Sequence, residues 1–318
     1  MQINSLTFCV PTYNRVNLLK ELINSVILAD QISHNIDFEI LICDDGSTDS
    51  TKLMVDNFKQ KNQSIKIQYF FQQNQGRAIS LINLILNSKK DYLIIMDDDD
   101  LIPNNFFEGL SRINDNLKKF NSDYLVSKRV SGISFLCKYI NNKIIGNMFN
   151  EDYLVSDFFN VFILNKKVGD CGDILNVNIL KENLYKKQGK EKRASTGLLH
   201  LNLSKKNKFI FINTPLKIKR YLEDGISKNI LYHKTKSPNY SVEYEKLLLE
   251  FNLPFIIKIR CLININRFYL HGAKKVKLSN LNQILLKFFY FISLIIFIID
   301  VIKLKKIKLR NKKKLKLN

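Results

Sequence analysis

Residues 92–100 read Tyr-Leu-Ile-Ile-Met-Asp-Asp-Asp-Asp, an apolar run that ends in four consecutive aspartates. A short apolar run that stops at a polar turn is typical of a buried strand. Four adjacent carboxylates repel one another unless cations neutralise them or solvent separates them. This stretch therefore predicts a buried strand that carries a dense negative charge at its carboxyl end.

The residues before this strand alternate between strand-like and helix-like patterns. Apolar runs predict three more buried strands, at residues 6–10, 38–43 and 65–71. Apolar residues at helical spacing predict the intervening helices, at residues 17–29, 51–60 and 78–86. Such alternation is typical of an α/β fold, with a mostly parallel central sheet and helices on both faces.

Polar side chains follow three of these strands. The strand ends carry Pro11-Thr-Tyr-Asn, Asp44-Asp-Gly and the run of four aspartates. Ligands of parallel sheets bind beyond the carboxyl ends of the strands, so the three clusters are expected to meet at one edge. Carboxylates suit Mg²⁺ or Mn²⁺, which typically bind one or two of them together with substrate phosphates. An isolated acidic run would more often be a solvated turn, but this position favours a metal–phosphate site.

The second part of the chain is less regular. We expect strands at residues 124–130 and 209–212, and a helix over residues 197–203. A polar stretch after residue 227 marks a boundary, and the remainder has a helical pattern. The sequence thus predicts a catalytic domain over residues 1–227, with halves at 1–110 and 111–227, and a helical extension over residues 228–318.

The chain is strongly basic, with 50 Lys and Arg against 29 Asp and Glu and a formal net charge of +21. The last sixteen residues, 303–318, contain nine of these bases and no acid. Such a balance favours anionic partners, namely nucleic acid, a membrane surface or phosphorylated substrates. The four aspartates argue against nucleic acid, because carboxylates repel phosphates unless a metal intervenes.

An apolar run precedes the basic tail. Residues 288–299 carry no charge, but twelve helical residues are about 18 Å long, short of the roughly 30 Å hydrocarbon core. Basic residues flank the run on both sides, which favours an interfacial or re-entrant helix over a spanning one. We therefore expect residues 284–318 to bind an anionic membrane surface, with a buried core helix as the alternative.

Cysteine usage and the N-terminus bear on location. The five cysteines are an odd number with no Cys-x-x-Cys pair, and no signal peptide is visible. These features favour a reducing cytosol, so we expect a cytoplasmic protein held peripherally on the inner face of the cell membrane.

Four segments carry a resemblance to a known family. They are Phe-Cys-Val-Pro-Thr-Tyr-Asn-Arg (8–15), Ile-Leu-Ile-Cys-Asp-Asp-Gly-Ser-Thr-Asp (40–49), Asn-Gln-Gly-Arg (74–77) and Ile-Ile-Met-Asp-Asp-Asp-Asp (94–100). In order and spacing they resemble family 2 glycosyltransferases of the GT-A fold, of the bacterial surface-polysaccharide type. The resemblance implies a nucleotide-sugar donor, Mn²⁺ or Mg²⁺, and inversion at the anomeric carbon.

The resemblance also implies roles for single residues. The positions that match nucleotide-sugar contacts are Pro11, Tyr13, Asp45, Arg77 and Asp97. The positions that match the metal ligand of the DXD motif are Asp98 and, with the register shifted by one residue, Asp99. Asp45 also has a physical basis, since a carboxylate can accept a hydrogen bond from a uracil N–H.

The second half departs from the family pattern. Family members place an acidic residue just before a helix in the acceptor half, as the base that takes the proton of the acceptor hydroxyl. Thr196 stands there, and a threonine hydroxyl is not a base at neutral pH. The nearest carboxylates are Glu191, Asp170 and Asp173; Glu191 ranks first by sequence distance and Asp173 second by resemblance.

The sequence therefore predicts an inverting glycosyltransferase whose donor is a nucleotide-diphosphate sugar, with a UDP-sugar as the first choice. The acceptor is a hydroxyl of a lipid-linked or growing surface glycan. Three alternatives stay open. They are a metal-dependent phosphoryl-transfer enzyme or nuclease, a basic nucleic-acid-binding protein, and an inactive family member that acts as a scaffold.

Overall fold

The computed structural model describes residues 1–33, 36–120, 122–221 and 230–314. It divides into two compact units. The first comprises Met1–Tyr185 and Asn202–Tyr221, and the second comprises Lys186–Leu201 and the described residues after Tyr221. The boundary predicted at residue 227 lies outside the described residues, as do the last four residues of the basic tail.

The first unit is built on one mixed sheet of eight strands, in the order β3-β2-β1-β4-β7-β5-β8-β6. The strands are β1 (Ser5–Thr12), β2 (Asp37–Asp44), β3 (Lys66–Phe71), β4 (Tyr92–Ile95), β5 (Val130–Lys138), β6 (Leu154–Ser156), β7 (Cys171–Asn176) and β8 (Lys208–Ile218). The α/β prediction is confirmed, and the first four strands are parallel as expected. β7 runs antiparallel to both β4 and β5, so the sheet is mixed.

Helices cover the sheet and form the second unit. In the described residues they are α1 (Val16–Ile32), α2 (Thr51–Lys61), α3 (Arg77–Asn87), α4 (Phe106–Leu117), α5 (Ser122–Ser127), α6 (Val177–Glu182), α7 (Thr196–Ser204), α8 (Ile230–Lys236), α9 (Pro238–Leu248), α10 (Phe255–Leu270), α11 (Asn280–Phe288) and α12 (Tyr290–Lys314). A short π-helix, Phe159–Leu164, precedes β7. The three helices predicted before β4 are confirmed with small shifts at their ends.

Strand register brings the carboxyl ends of the first strands to one edge. Thr12 at the end of β1 pairs with Asp44 at the end of β2, and Asp44 pairs with Phe71 at the end of β3. Cys9 of β1 pairs with Ile95, the last residue of β4. The aspartates that follow β4 therefore start close to the polar residues that follow β1 and β2.

The core of the first unit lies between the sheet and its helices. Phe8, Phe38, Phe106 and Phe107 meet there with ring centroids between 5.2 and 6.3 Å apart. The contacts join β1 to β2 and both strands to α4, and the two rings of α4 also contact each other. Aromatic packing of this kind holds α4 against β1 and β2 and keeps the turn between β4 and α4 in place.

The strand predicted at residues 124–130 is wrong. Residues Ser122–Ser127 form helix α5, and the strand β5 begins only at Val130. Leu125 is buried there, whereas residues 123, 124 and 126–129 are exposed. A half-buried strand would bury every second side chain, which this segment does not, and the apolar run alone did not distinguish the two structures.

The second unit has its own small core and contains the predicted helical pattern. Val242 of α9 packs there against Ile265 and Phe268 of α10. Asn266 of α10 donates a hydrogen bond of 2.6 Å to the backbone oxygen of Leu286 in α11. α11 and α12 meet at a bend of 61°, so the apolar run of the sequence is divided between two helices.

Glu39 is an unusual charge inside the first unit, because β2 buries it completely. It accepts hydrogen bonds from the Thr7 hydroxyl at 2.9 Å and the Lys89 backbone N–H at 3.0 Å, and pairs with Lys66 at 2.9 Å. Burial alone would raise the pKa of Glu39, but the hydrogen bonds from Lys66, Lys89 and Thr7 outweigh it and lower that pKa. The carboxylate therefore stabilises the fold only while it is ionised.

We expect Glu39→Gln to lower the free energy of unfolding by about 1–3 kcal/mol at pH 7, because charged hydrogen bonds are lost in a buried site. The difference from the parent should shrink as the pH falls through the lowered pKa of Glu39, since the parent then loses the same charge. Urea denaturation between pH 3 and 7 measures it. The control is Glu108→Gln, on the exposed face of α4. Equal effects of both substitutions would contradict the role given to Glu39.

Candidate active site at the carboxyl edge of the sheet

The loops after β1 and β2 are joined through Asp49. Its Oδ2 accepts a hydrogen bond of 3.1 Å from the Val16 N–H at the start of α1, and its Oδ1 accepts from Thr51 at the start of α2. Asn14, at φ 52°, accepts a 2.7 Å bond from the Thr48 N–H through Oδ1. Both loops are thereby fixed in place at the edge of the sheet.

Asp45 holds the loop between β3 and α3. Its Oδ1 accepts from the Gln75 N–H at 2.8 Å and from Gln72 Nε2 at 2.7 Å. Its Oδ2 accepts from the Gly76 N–H at 2.8 Å. Gly76 sits at φ 93°, a left-handed conformation that a side chain would strain. The position of Arg77, the first residue of α3, therefore depends on Asp45.

The four aspartates after β4 alternate between outward and inward positions. Asp97 and Asp99 are half-buried, whereas Asp98 and Asp100 are buried. Two of the four carboxylates, spaced i and i+2, are therefore accessible to a ligand, and the other two face protein.

Asp97 binds Arg77 through two hydrogen bonds. Arg77 donates from Nε at 3.0 Å and from Nη2 at 2.6 Å, both to Asp97 Oδ1. Burial would raise the pKa of Asp97, but Arg77, Lys219 and Lys217 hold that pKa far below its usual range. Asp97 therefore stays ionised, and Arg77 is fixed beside it.

Asp98 and Asp99 share one cation. Arg15 Nη1 lies 3.1 Å from Asp98 Oδ1 and 3.2 Å from Asp99 Oδ2. The Thr12 hydroxyl donates to Asp98 Oδ2 at 2.9 Å. Burial raises the pKa of Asp98 to about 6, against the lowering effects of Arg15 and Thr12. Both oxygens of Asp98 are thus engaged by the end of β1 and the loop that follows it.

Asp100 is fully buried between two lysines. Lys217 Nζ lies 3.5 Å and Lys219 Nζ 3.7 Å from its Oδ2, and no hydrogen bond from the described residues reaches either of its oxygens. Lys217 Nζ also donates to the Ile95 backbone oxygen at 2.8 Å. Burial raises the pKa of Asp100, against the lowering effect of both lysines. The end of β8 is thereby held against the end of β4.

The other residues expected at the nucleotide lie at the same edge. Pro11 is buried within β1, and Tyr13 is 46% exposed directly after it. Asp45, Arg77 and Asp97 surround the ends of β2 and β4 as described above. The structure thus brings the five predicted nucleotide-sugar residues to one edge, while their contacts with a nucleotide stay a prediction.

The outward aspartates suit a divalent cation that is shared with a diphosphate. Within the described residues, no hydrogen bond reaches Asp97 Oδ2 or Asp99 Oδ1, so each has an oxygen available. No group of three or more His, Cys, Asp or Glu side chains that could hold a metal occurs in the same residues. Mg²⁺ commonly binds one or two carboxylates and takes its remaining ligands from water and substrate phosphates. The donor set fits that mode of binding.

The two residues ranked as the base lie in different units. Asp173 lies in β7, opposite Ser134 of β5. Glu191 lies in the second unit, where its carboxylate accepts backbone N–H bonds from Asn239 at 2.8 Å and Tyr240 at 3.0 Å at the start of α9. Thr196, expected just before a helix, is the first residue of α7. The choice of base stays a prediction.

Sequence reasoning missed the cations that balance the aspartates. Arg15 follows the Pro-Thr-Tyr-Asn segment, and Lys217 and Lys219 belong to the Lys-Ile-Lys-Arg segment at the end of β8. The signal was present, since basic residues followed a predicted strand end. Which strand lies beside β4 could not be read from the sequence, because β7, β5 and β8 are joined by long connections.

Comparison with known proteins now identifies the first part of the chain. Residues 7–127 match the family described as Glycosyl transferase family 2. This segment contains most of β1, all of β2 to β4 and the aspartate run.

Curated relatives are similar over different lengths. The chain is 36% identical over 98 residues to the abequosyltransferase RfbV of Salmonella typhimurium, covering 30% of this chain and 28% of that protein. It is 26% identical over 232 residues to a GalNAc(5)-diNAcBac-PP-undecaprenol beta-1,3-glucosyltransferase of Campylobacter jejuni, covering 70% and 69%. It spans about a third, 32%, of an uncharacterized glycosyltransferase of Mycoplasma genitalium, MG060, with 30% identity over 99 residues.

Solved structures share the fold. TarS 1-349 of S. aureus in complex with UDP superimposes with a TM-score of 0.56 at 18% identity, covering 89% of this chain and 78% of that chain. The mannosyltransferase PcManGT of Pyrobaculum calidifontis, in complex with GDP-Man and Mn²⁺, gives a TM-score of 0.50 at 13% identity, covering 92% and 81%. These likenesses establish the GT-A fold expected from the sequence.

We expect Asp45→Asn to release the loop before α3, because the N–H groups of Gln75 and Gly76 donate to different oxygens of Asp45 and the amide nitrogen of Asn cannot accept a hydrogen bond. Hydrogen exchange at these two backbone amides should speed up, and the free energy of unfolding should fall by about 1–3 kcal/mol. Asp56→Asn, on the exposed side of α2, is the matched control. Unchanged exchange at Gln75 and Gly76 in the Asp45 variant would show that this carboxylate does not organise the loop.

Proposed function

We propose, from the match of residues 7–127 to glycosyltransferase family 2, that the protein is an inverting enzyme that transfers a sugar from a nucleoside diphosphate donor to a hydroxyl acceptor. The observation that carries the proposal is the meeting of Asp45, Arg77, Asp97 and Asp99 at one edge of the sheet. UDP is the first nucleotide to test, because UDP is bound in the TarS complex of the same fold.

The nucleotide would lie along the ends of β1 and β2. Tyr13 offers an exposed ring for the base, and Asp45 lies beneath the loop that leads to Arg77. Arg77 supplies a planar guanidinium that suits phosphate oxygens, and its contact with Asp97 orients it. These residues would bind and orient the donor.

The metal would be held by the outward oxygens of Asp97 and Asp99, with Asp98 keeping the loop in shape. Mn²⁺ or Mg²⁺ supplies charge to stabilise the departing diphosphate. Arg77 pairs with Asp97, and Lys219 pairs with Asp100. Both cations add fixed positive charge to the aspartate run. The aspartate predicted as metal ligand at position 98 is a weaker proposal, because both of its oxygens are engaged by protein.

The same carboxylates permitted a phosphoryl-transfer enzyme or nuclease as an alternative. The match of residues 7–127 to a glycosyltransferase family favours sugar transfer over that chemistry. The nucleic-acid-binding alternative rested on net charge alone.

We expect Asp97→Asn and Asp99→Asn each to weaken UDP binding in the presence of Mn²⁺ by at least about 10-fold, because each removes a charged ligand oxygen. Binding without metal should change less. Isothermal titration calorimetry measures the UDP affinity with and without Mn²⁺. Asp115→Asn on α4 is the control. If both variants bind UDP and Mn²⁺ as tightly as the parent, the metal site is elsewhere.

We propose further that the second unit binds the inner face of the cell membrane, where a lipid-linked acceptor would be met. The support is an apolar stripe on α11 and α12, formed by exposed side chains at helical spacing. Phe288 is 76% exposed, Phe291 75% and Ile295 60%, and Ile298 and Ile302 continue the stripe. Large exposed apolar patches of this kind mark interaction sites.

On the opposite face of α12, Ser293 and Asp300 are buried. Asp300 binds Arg267 of α10, with 2.8 Å between Arg267 Nη2 and Asp300 Oδ1, and lies 3.1 Å from His271 Nε2. α12 therefore contacts the end of α10 through Asp300 and Phe297 and presents the stripe outward. No single helix in the described part of the chain is long and apolar enough to cross a membrane; α11 and α12 reach that length only as a bent pair.

Basic residues lie beside the apolar stripe, as an amphipathic segment on anionic lipid requires. Lys303, Lys305 and Lys306 follow it on α12, and six more bases follow in sequence. Each base close to an anionic surface contributes up to about 1 kcal/mol, which salt screens. We therefore propose that the acceptor is a glycan carried on lipid. The Campylobacter relative is named for such an acceptor, GalNAc(5)-diNAcBac-PP-undecaprenol.

We expect the triple variant Phe288→Ser, Phe291→Ser, Ile295→Ser to lose at least about 10-fold in vesicle binding, because three apolar side chains no longer enter the bilayer. Co-sedimentation with vesicles containing phosphatidylglycerol measures it at low and high salt. The matched control removes three exposed apolar residues elsewhere, Leu53→Ser, Leu86→Ser and Val126→Ser. Full-length protein that stays in the supernatant with every lipid would contradict the membrane proposal.

A further inference from the structure

A second group of side chains lies at the same edge, on the other half of the sheet. Asp170 precedes β7, Tyr139 follows β5, and Tyr221 follows β8 by three residues. β7 runs antiparallel to both of its neighbours, β4 and β5. β8 pairs with β5 and runs parallel to it. The start of β7 and the ends of β5 and β8 therefore continue the edge that carries the aspartate run.

The position of Asp170 is fixed by a close approach of two glycines. A Cβ on Gly169 would lie 2.2 Å from the Ile145 backbone oxygen, and one on Gly146 would lie 2.0 Å from the Val168 backbone oxygen. Both glycines have positive φ, 103° and 79°. Only glycine fits at such contacts, so the backbone immediately before Asp170 is held in one place.

Asp170 is half-exposed, and among the described residues it makes two polar contacts. The Tyr221 hydroxyl donates to its Oδ2 at 2.7 Å, and Lys219 Nζ lies 3.5 Å from the same oxygen. Lys219 Nζ also lies 3.7 Å from Asp100 Oδ2. A single lysine thus joins Asp170 to the aspartate run on which the donor diphosphate is proposed to bind.

Tyr139 and Tyr221 form a pair of partly exposed rings beside this carboxylate. Their centroids are 5.8 Å apart at an interplanar angle of 52°, and they are 36% and 44% exposed. A tight turn fixes Tyr139, since its N–H donates to the Lys143 backbone oxygen at 2.8 Å. The Lys219 N–H donates to the Lys138 backbone oxygen at 2.9 Å, which fixes the backbone before Tyr221.

We propose that Tyr139, Tyr221 and Asp170 form the acceptor site, that the acceptor is a sugar ring, and that Asp170 is the base for its reacting hydroxyl. This inference rests on the proposed function. An aromatic face is apolar with partial negative charge, and it suits the C–H face of a pyranose ring. A carboxylate beside it suits the ring's hydroxyls, which lie at the edge of the sugar.

The chemical step balances with these groups. The acceptor O–H bond breaks and its proton passes to a carboxylate oxygen of Asp170. The hydroxyl oxygen forms a bond to the anomeric carbon of the donor sugar. The bond from that carbon to the diphosphate breaks, and its electron pair leaves with the nucleoside diphosphate. Asp170 takes the place that Thr196 leaves without an acid.

Tyr221 and Lys219 act on Asp170 as positioning residues. The Tyr221 hydroxyl orients the carboxylate from one side, and Lys219 keeps it close to the aspartate run. Burial and the hydrogen bond to Asp170 both raise the pKa of Tyr221, so its hydroxyl stays protonated and remains a donor. The second oxygen, Asp170 Oδ1, receives no hydrogen bond from the described residues and faces the acceptor in this scheme.

The experiment compares Asp170→Asn, Tyr139→Ala and Tyr221→Phe with Glu191→Gln and Asp173→Asn, the two alternative bases. The probes are UDP with Mn²⁺ for the donor site, and the methyl glycosides of glucose, galactose, N-acetylglucosamine and N-acetylgalactosamine for the acceptor site. Titration measures UDP binding, and saturation-transfer NMR measures glycoside binding. Turnover with the corresponding UDP-sugars gives kcat and the acceptor KM.

Every variant should bind UDP as the parent does. Asp170→Asn should keep glycoside binding and lower kcat by about 10²-fold or more, the usual effect of a lost general base. Tyr139→Ala should raise the acceptor KM by about 5–10-fold, the size expected of an aromatic contact. Tyr221→Phe should keep KM and lower kcat less than Asp170→Asn, because the ring stays and only the orienting hydroxyl is lost. Asp115→Asn and Tyr124→Phe are controls outside the edge.

The outcomes separate this inference from the proposed function. Failure of the parent to bind UDP or any other nucleoside diphosphate would overturn the proposed function and the acceptor site with it. Normal UDP binding with no glycoside signal in the parent would overturn the acceptor site alone. So would normal kcat in Asp170→Asn, or loss of turnover in Glu191→Gln or Asp173→Asn while Asp170→Asn stays active.

Discussion

Four consecutive carboxylates occupy the turn after β4, and each is balanced by a cation from another element of the first unit. The cations are Arg77 from α3, Arg15 from the loop after β1, and Lys217 and Lys219 from the end of β8. An unpaired buried carboxylate would cost several kcal/mol, so this turn can form only when all of these elements are in place. The charge pattern therefore joins the two halves of the sheet and positions the edge at which ligands are proposed to bind.

The inward and outward aspartates have different consequences. Asp98 and Asp100 use their charge to hold β1 and β8, whereas Asp97 and Asp99 keep oxygens that face outward. A run of four identical residues thus provides both the internal ion pairs and the proposed metal ligands. The alternation explains why the sequence did not decide between Asp98 and Asp99 as the metal ligand. Four identical residues do not show which of them face outward from the turn.

Much of the first half was predictable because its signals are local. The apolar runs, the helical spacing and the polar strand ends gave β1 to β4 in order, and the GT-A expectation is confirmed. The second half depends on contacts that are distant in sequence. Lys219 and Asp170 are 49 residues apart by number, and the two glycines that fix Asp170 meet across a loop. The helix α5 was predicted as a strand because a short apolar run has no period of its own.

A crystal structure with UDP and Mn²⁺ tests the central claim most directly. The account predicts that the nucleotide lies at the ends of β1 and β2, with Mn²⁺ coordinated by a carboxylate oxygen of Asp97 or Asp99 and by the diphosphate. Arg15 should stay on Asp98, and Lys217 on Asp100. A nucleotide bound away from this edge, or a metal held by neither outward aspartate, would contradict it.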